Sequence, residues 1–163
     1  MDEFASRQYP IRENMAFQRR TWIIQRAGWL ALAAIAIAAL LGLFGGGVLS
    51  KRVATGPGMS IAYERFERYS RVASFVIRFT DGQRTERRLH LNNAFQHGFE
   101  IASIQPAPTR SETSADGLVL TFAGASTPGQ VVIWANPHVY GGVELSARAD
   151  DNPPLNLRIF IYP

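Results

Sequence analysis

The sequence predicts a single transmembrane helix followed by an all-β domain, an immunoglobulin-like antiparallel sandwich with a small open β-barrel as the alternative. Three observations predict it. Residues 27–50 carry no charge, and their apolar centre, 29–49, would be about 30 Å long as a helix, the thickness of a bilayer's hydrocarbon core. From Met59 onward the helical period is gone, and short runs of branched and aromatic residues alternate with turn residues. Asp81-Gly82, set between two such runs, is a hairpin signal.

These observations divide the chain into a basic arm at 1–27, a span at 28–50, a linker at 51–58 containing the turn-forming TGPG, and a β-domain at 59–163. The arm has five arginines against three acidic residues, whereas the part after the span has twelve basic and ten acidic residues. A nucleic-acid-binding chain concentrates positive charge on its folded domain. Here the excess sits beside the span, and no nucleic-acid partner is expected. The chain contains no cysteine, which excludes disulfides, thiolate metal sites and a cysteine nucleophile.

Basic residues set orientation. Arg19, Arg20 and Arg26 precede the span, and the N-terminal side outweighs Lys51 and Arg52 on the other. The arm is therefore expected in the cytoplasm and the β-domain in the periplasm of a bacterial inner membrane. Trp22 and Trp29 fit an aromatic belt at the cytoplasmic interface. Within the arm, Ile11, Met15 and Trp22 fall near one helical face, which suggests a partly amphipathic helix extending from, or lying against, the membrane surface. Two processing routes compete with a retained anchor. Cleavage after Ser50 would make the segment a signal peptide, and Arg19-Arg20-Thr21-Trp22-Ile23 looks like a twin-arginine export signal.

Ala34, Ala38, Gly42 and Gly46 recur every four residues. Small residues at that spacing let two helices approach closely in lipid, so a helix–helix contact is expected, with a membrane-protein partner or a second copy.

Eight strands are expected, near 60–63, 74–80, 84–91, 99–104, 118–122, 130–135, 143–148 and 155–162. In the last, Leu157, Ile159 and Ile161 should face the core. In the third, Glu86, Arg88 and His90 should form a wet face. Trp134 is expected in the core, and Pro128-Gly129 as a type II turn. The stretch 62–72 pairs Glu64 with Arg68 and Glu67 with Arg71 at helical spacing; a strand ending near Glu64 and then a turn or short helical piece is the reading. Residues 92–98 read as a turn.

Catalytic and cofactor signatures are not recognised. His90, His97 and His138 lack metal-ligand spacing, the serines lack a nucleophile elbow, and 150–152 lacks a calcium-loop pattern. No cofactor and no enzymatic activity are expected. Tyr63, Arg65, Phe66, Arg68 and Tyr69 interleave aromatic and basic side chains, a composition that favours interfaces, and form a candidate docking patch near the membrane. Arg84, Arg87 and Arg88 are candidate contacts for an anionic ligand.

The basic arm running into RAGWLALAAIAIAALLGLFGGG, the segment SIAYERFERYS and the ending LRIFIYP together resemble small single-pass inner-membrane proteins of proteobacteria with an extracytoplasmic β-domain. The resemblance implies a membrane-tethered accessory subunit that docks on a larger membrane protein. It implies no functional site. Ligand binding or sensing by the outer domain is the alternative.

Overall fold

The computed structural model of the chain describes residues 15–41, 47, 49–82, 84–123 and 129–163. The chain divides into two compact units at Ala39/Leu40.

The first unit is helix α1, Met15–Leu40, 26 residues long. Its residues from Ala27 onward are alanine, leucine, isoleucine, one glycine and one tryptophan. Nothing in the run breaks a helix, and alanine and leucine favour one. Its Phe17–Leu40 portion is long and apolar enough to cross a membrane. The arm helix therefore extends from the apolar stretch, one of the two arrangements expected, and the 28–40 portion of the expected span lies in α1. One continuous helix covers the basic turns and the apolar stretch, and it ends at Leu40. Further along, Ser50 N–H donates to the Gly47 carbonyl at 3.0 Å.

The second unit is mostly β-sheet. One sheet has five strands in the order β1 (Lys51–Gly56), β2 (Met59–Glu64), β4 (Ala73–Phe79), β9 (Gln130–Pro137) and β6 (Phe99–Gln105). The other has six, in the order β3 (Phe66–Arg68), β11 (Leu155–Tyr162), β10 (Gly141–Ala149), β5 (Glu86–Asn92), β8 (Gly117–Ala123) and β7 (Arg110–Ser114). Every pairing is antiparallel except β3 with β11. The two sheets share one core. Ile61, Phe75, Ile77, Val131 and Ile133 meet Leu89, Leu120, Leu145, Leu157, Ile159 and Ile161, because alternate residues of a strand project to the same face. The inward set on β11 and the wet face of β5 are as the alternation predicts.

Helix α2, Asn93–Gly98, closes part of this core. The Asn92 side chain accepts from Phe95 N–H at 3.3 Å, which starts the helix and corrects the expected turn at 92–98. Phe95 then packs with Phe75 and Phe99, ring centroids 5.4 Å apart in each pair.

Several other expectations are corrected. The linker at 51–58 is an edge strand, β1, paired with β2 from Lys51↔Glu64 to Gly56↔Met59. Only Pro57 and Gly58 turn the chain, Gly58 at φ +76°. Unpaired N–H and C=O groups on β2 recruit the preceding segment, and Ala54 packs on the core. Residues 66–68 form a strand because pairing with β11 outweighs i,i+4 ion pairs worth a few tenths of a kcal/mol. β7 (RSETS) has no apolar residue and lies fully exposed at an edge, so no alternation announces it. Asp81-Gly82 does not close a hairpin. β4 and β5 belong to different sheets, and the segment between them crosses from one to the other. Of the expected Pro128-Gly129 turn, Pro128 lies outside the described residues.

Trp134 is half-buried on the outer face of the five-stranded sheet, opposite Ser74 and Ser103. Val131, Ile133 and Ala135 take the inward positions, and the two-residue period forces Trp134 outward. Next to it, a row of apolar residues crosses that face: Val53, Ala62, Val76 and Val132 are opposed in successive strands.

Candidate interaction surfaces

Every described side chain of α1 except Ala38 is exposed. Trp22 is 57% and Trp29 66% exposed, and the large apolar residues from Ile23 to Leu40 are exposed too. Burying one such side chain is worth about 1.5–3 kcal/mol, and the helix is long and apolar enough to cross a membrane. Arg19 and Arg20 lie in its first turns. The Arg26 guanidinium sits 4.8 Å over the Trp22 ring, one turn away. Ala34 and Ala38 lie one turn apart on the helix, whereas Gly42 and Gly46 lie outside the described residues.

The aromatic–arginine patch is assembled differently from its sequence order. Tyr63 pairs across from Arg52 and packs against the core. Phe66 stands opposite Phe160 on the outer face of the six-stranded sheet, and Arg68 opposite Tyr162. The Arg65 guanidinium lies 5.6 Å from the Phe66 ring. Tyr69 stacks on Tyr140 with ring centroids 4.4 Å apart, and its N–H donates to the Tyr162 carbonyl at 2.9 Å. The fold thus gathers Arg65, Phe66, Arg68 and Tyr69 along the β3–β11 edge, leaves Tyr63 inside, and adds Phe160 and Tyr140. The alternation of β11 signals that Phe160 faces outward, but nothing in the sequence links it to Phe66. Gly142 is opposed to Phe160 and has no side chain to cover it. A groove of about 460 Å³ results, lined by Phe66, Phe160, Gly142, Arg65 and the Arg158–Glu144 pair, which is 2.9 Å long.

Beneath this edge lies a polar seam. Ser50 is fully buried. Its hydroxyl accepts from Phe66 N–H at 3.3 Å and lies 3.2 Å from the Phe66 carbonyl and 3.4 Å from Glu64 Oε2. Glu67, 5% exposed, points to the core side of β3. Burial, then the Glu64 charge, pushes its pKa up to about 7, with Arg71 opposing.

Arg84, Arg87 and Arg88 do not converge. Arg87 is buried; its Nη2 donates to the carbonyls of Asp81 and Gly82, and its guanidinium lies 4.7 Å over the Phe79 ring. Arg84 reaches Asp81 at 3.7 Å and Asp150 at 3.6 Å. Arg88 pairs with Glu86 at 2.9 Å. Arg84 and Arg87 fasten the entry to β5 to Asp81, Gly82 and Asp150, and the Arg88 pair stays within β5.

A second, polar groove of about 380 Å³ runs over β5, β8 and β10, lined by His90, Asn92, Asp116, Ser146 and Arg148. Arg148 Nη2 lies 3.4 Å from His90 Nδ1. Burial, then the charges of Arg148 and Arg88, lowers the His90 pKa, so the imidazole is held neutral and can accept from the guanidinium. His97 ends α2, and His138 is exposed on the connection after β9. Among the described residues no group of three or more His, Asp or Glu could hold a metal ion.

No family model matches the chain, and no curated protein matches it. Among solved structures it is similar to the crystal structure of the S-layer protein SbsC domains 4 and 5, at 9% identity and a TM-score of 0.40. The likeness covers 69% of this chain and 54% of that one, so the chain spans about half the length of that structure.

Proposed function

We propose that this protein is a membrane-tethered interaction module. In this reading α1 anchors it in a bacterial inner membrane with its N-terminus in the cytoplasm, and the β-domain docks in the periplasm on a larger membrane protein. One observation carries the reading: α1 exposes its apolar side chains around its whole circumference, while the β-domain closes a core of its own. The apolar surface of α1 calls for an environment of its own. Confinement to a membrane raises the effective concentration of a domain for membrane partners, so modest contacts suffice. The Ala34–Ala38 face would meet a partner helix, and the apolar row Val53, Ala62, Val76 and Val132 would meet the partner's outer face.

The test is photo-crosslinking in cells at native expression, with the reactive group at Ala38 or Val76. Discrete adducts of higher mass are expected at both positions, and a second copy is recognised by a differently tagged chain. Adducts with lipid alone at Ala38 and none at Val76 refute the proposal. A phosphatase fused to the C-terminus should be active in intact cells, which checks orientation.

The immunoglobulin-like assignment is part of this proposal. Strands β2, β4, β9 and β6 follow the spatial order A-B-E-D, and β11, β10, β5, β8 and β7 follow G-F-C-C′-C″. The chain order departs from that pattern, because β6 joins the first sheet before β7 and β8 complete the second.

Ligand sensing is the second reading, and the groove beside His90 and Arg148 favours it. A carboxylate or phosphate group matches the Arg148 guanidinium. Thermal stabilisation of the full chain by such an anion, lost in Arg148→Ala, would support it.

A further inference from the structure

The large apolar side chains exposed in the second unit are not scattered. Among the described residues after Leu41 they are Leu49, Val53, Tyr69, Val72, Tyr140 and Phe160. Val53 belongs to the row on the five-stranded sheet. The other five gather around one corner, and hydrogen bonds and ring contacts fix that grouping. Leu49 adjoins Ser50, whose hydroxyl accepts from Phe66 N–H. Phe66 is opposed to Phe160, and Phe160 N–H donates to the Arg65 carbonyl at 2.7 Å. Tyr69 is bonded to the end of β11 and stacked on Tyr140, and Val72 closes the turn that follows.

This corner is also basic. Segment 50–72 has Lys51, Arg52, Arg65, Arg68 and Arg71 against Glu64 and Glu67 alone, whereas segment 110–121, on the β7–β8 edge, has Arg110 against Glu112 and Asp116. Leu49, moreover, is the last residue of the apolar stretch, and one residue of chain spans at most about 3.6 Å. Leu49 comes nine residues after the end of α1 at Leu40, so the corner lies within about 32 Å of chain from that end. Rings with one polar end, beside arginines whose stems are apolar, favour the zone between headgroups and acyl chains.

We infer that the β3–β11 corner, presenting Phe160, Tyr140, Tyr69, Arg65 and Arg68, rests on the membrane surface and binds anionic phospholipid headgroups. The domain then lies against the bilayer instead of swinging on its tether. Aromatic rings sink to headgroup level, and the arginines pair with phosphates, a bidentate fit that lysine would not match. The inference rests on the tether reading above. It concerns a different surface from the row at Val53, which stays free for a protein.

The absence of cysteine makes the test direct. Full-length variants Phe160→Cys, Tyr140→Cys, Glu112→Cys and Ile35→Cys each carry one bimane fluorophore and are reconstituted in vesicles of phosphatidylglycerol and phosphatidylcholine. Lipids spin-labelled at the headgroup should quench the probes at 160 and 140 several-fold more than the probe at 112. Added salt, or vesicles of phosphatidylcholine alone, should reduce that difference. A lipid spin-labelled deep in the acyl chain should quench the probe at 35. Equal quenching at 160, 140 and 112 with the probe at 35 still quenched overturns the inference and leaves the tether standing. No quenching at 35 overturns both. Shielding of 160 and 140 that occurs only in native membranes points to a protein on this corner and also overturns it. Arg65→Glu/Arg68→Glu, with the Phe160→Cys probe, should lower the quenching while circular dichroism stays unchanged.

Discussion

The buried hydroxyl of Ser50 accepts a hydrogen bond from the backbone N–H of Phe66 at 3.3 Å, across sixteen residues of chain. The Ser50 carbonyl accepts from Arg65 N–H at 2.7 Å. The residue that ends the uncharged stretch is thus built into the β-domain. Ser50→Ala leaves a buried N–H without its partner and should cost about 1–3 kcal/mol. Denaturant unfolding of the detergent-solubilised chain measures it. An unchanged midpoint would show that the seam contributes nothing.

Glu67 should make stability depend on pH. Its folded pKa, about 7, stands above the ordinary 4.5, so the native state holds a proton that the unfolded state has released. The stabilisation is full below about 4.5, declines as pH rises toward 7, and is gone above it. Its size is about 2 kcal/mol once solvent screening is allowed for. Glu67→Gln keeps a neutral side chain and should remove the decline. His90 acts with the opposite sign: its lowered pKa gives a contribution present above about 6.5 and lost as pH falls through the folded value. The difference between the wild-type and Glu67→Gln melting curves isolates Glu67, and a difference that does not vary with pH rejects the assignment.

Arg87 fastens the crossing from one sheet to the other by its bonds to the Asp81 and Gly82 carbonyls and its position over Phe79. Arg87→Met should cost about 1 kcal/mol, because the guanidinium's desolvation offsets part of its hydrogen bonding. The sharper signature is local: amide exchange across 80–85 should accelerate while β9 stays protected. Arg87→Lys should not restore protection, since an ammonium cannot span both carbonyls and stack on a ring. Full protection in either variant would contradict the clamp.

Gly117 sits at φ +135°, and a Cβ there would overlap the Leu91 carbonyl. Gly117→Ala should therefore disturb the β5–β8 pairing and cost about 3 kcal/mol. Gly142→Ala, with open space around the added methyl, is the control and should change the melting temperature little. Equal melting temperatures for the two variants would refute the argument.

What could be read in advance follows from how local each signal is. Alternation along β11 and β5 survives in the folded chain because each strand has one face on the core. The signal failed where partners decide the structure. β1 and β3 are strands because β2 and β11 offer them open edges. Asp81-Gly82 has the composition of a hairpin, but the strands around it find better apolar partners in different sheets. In the docking patch, four of the five residues named from the composition of 63–69 reach the surface edge or its rim, where Phe160 and Tyr140 join them. Tyr63 went inward because it falls on the same side of β2 as Ile61.

By itself the sequence determined the long apolar helix and the mostly β character of the unit after it. The first follows from an unbroken apolar run and the second from alternation and turn residues, signals that each segment carries alone. Tertiary structure decided which strands share a sheet, that Trp134 faces outward, and that Ser50, Phe66, Phe160 and Tyr140 meet at one corner. Those outcomes depend on contacts between residues far apart in the chain, where the burial of a neighbour outweighs the preference of the segment.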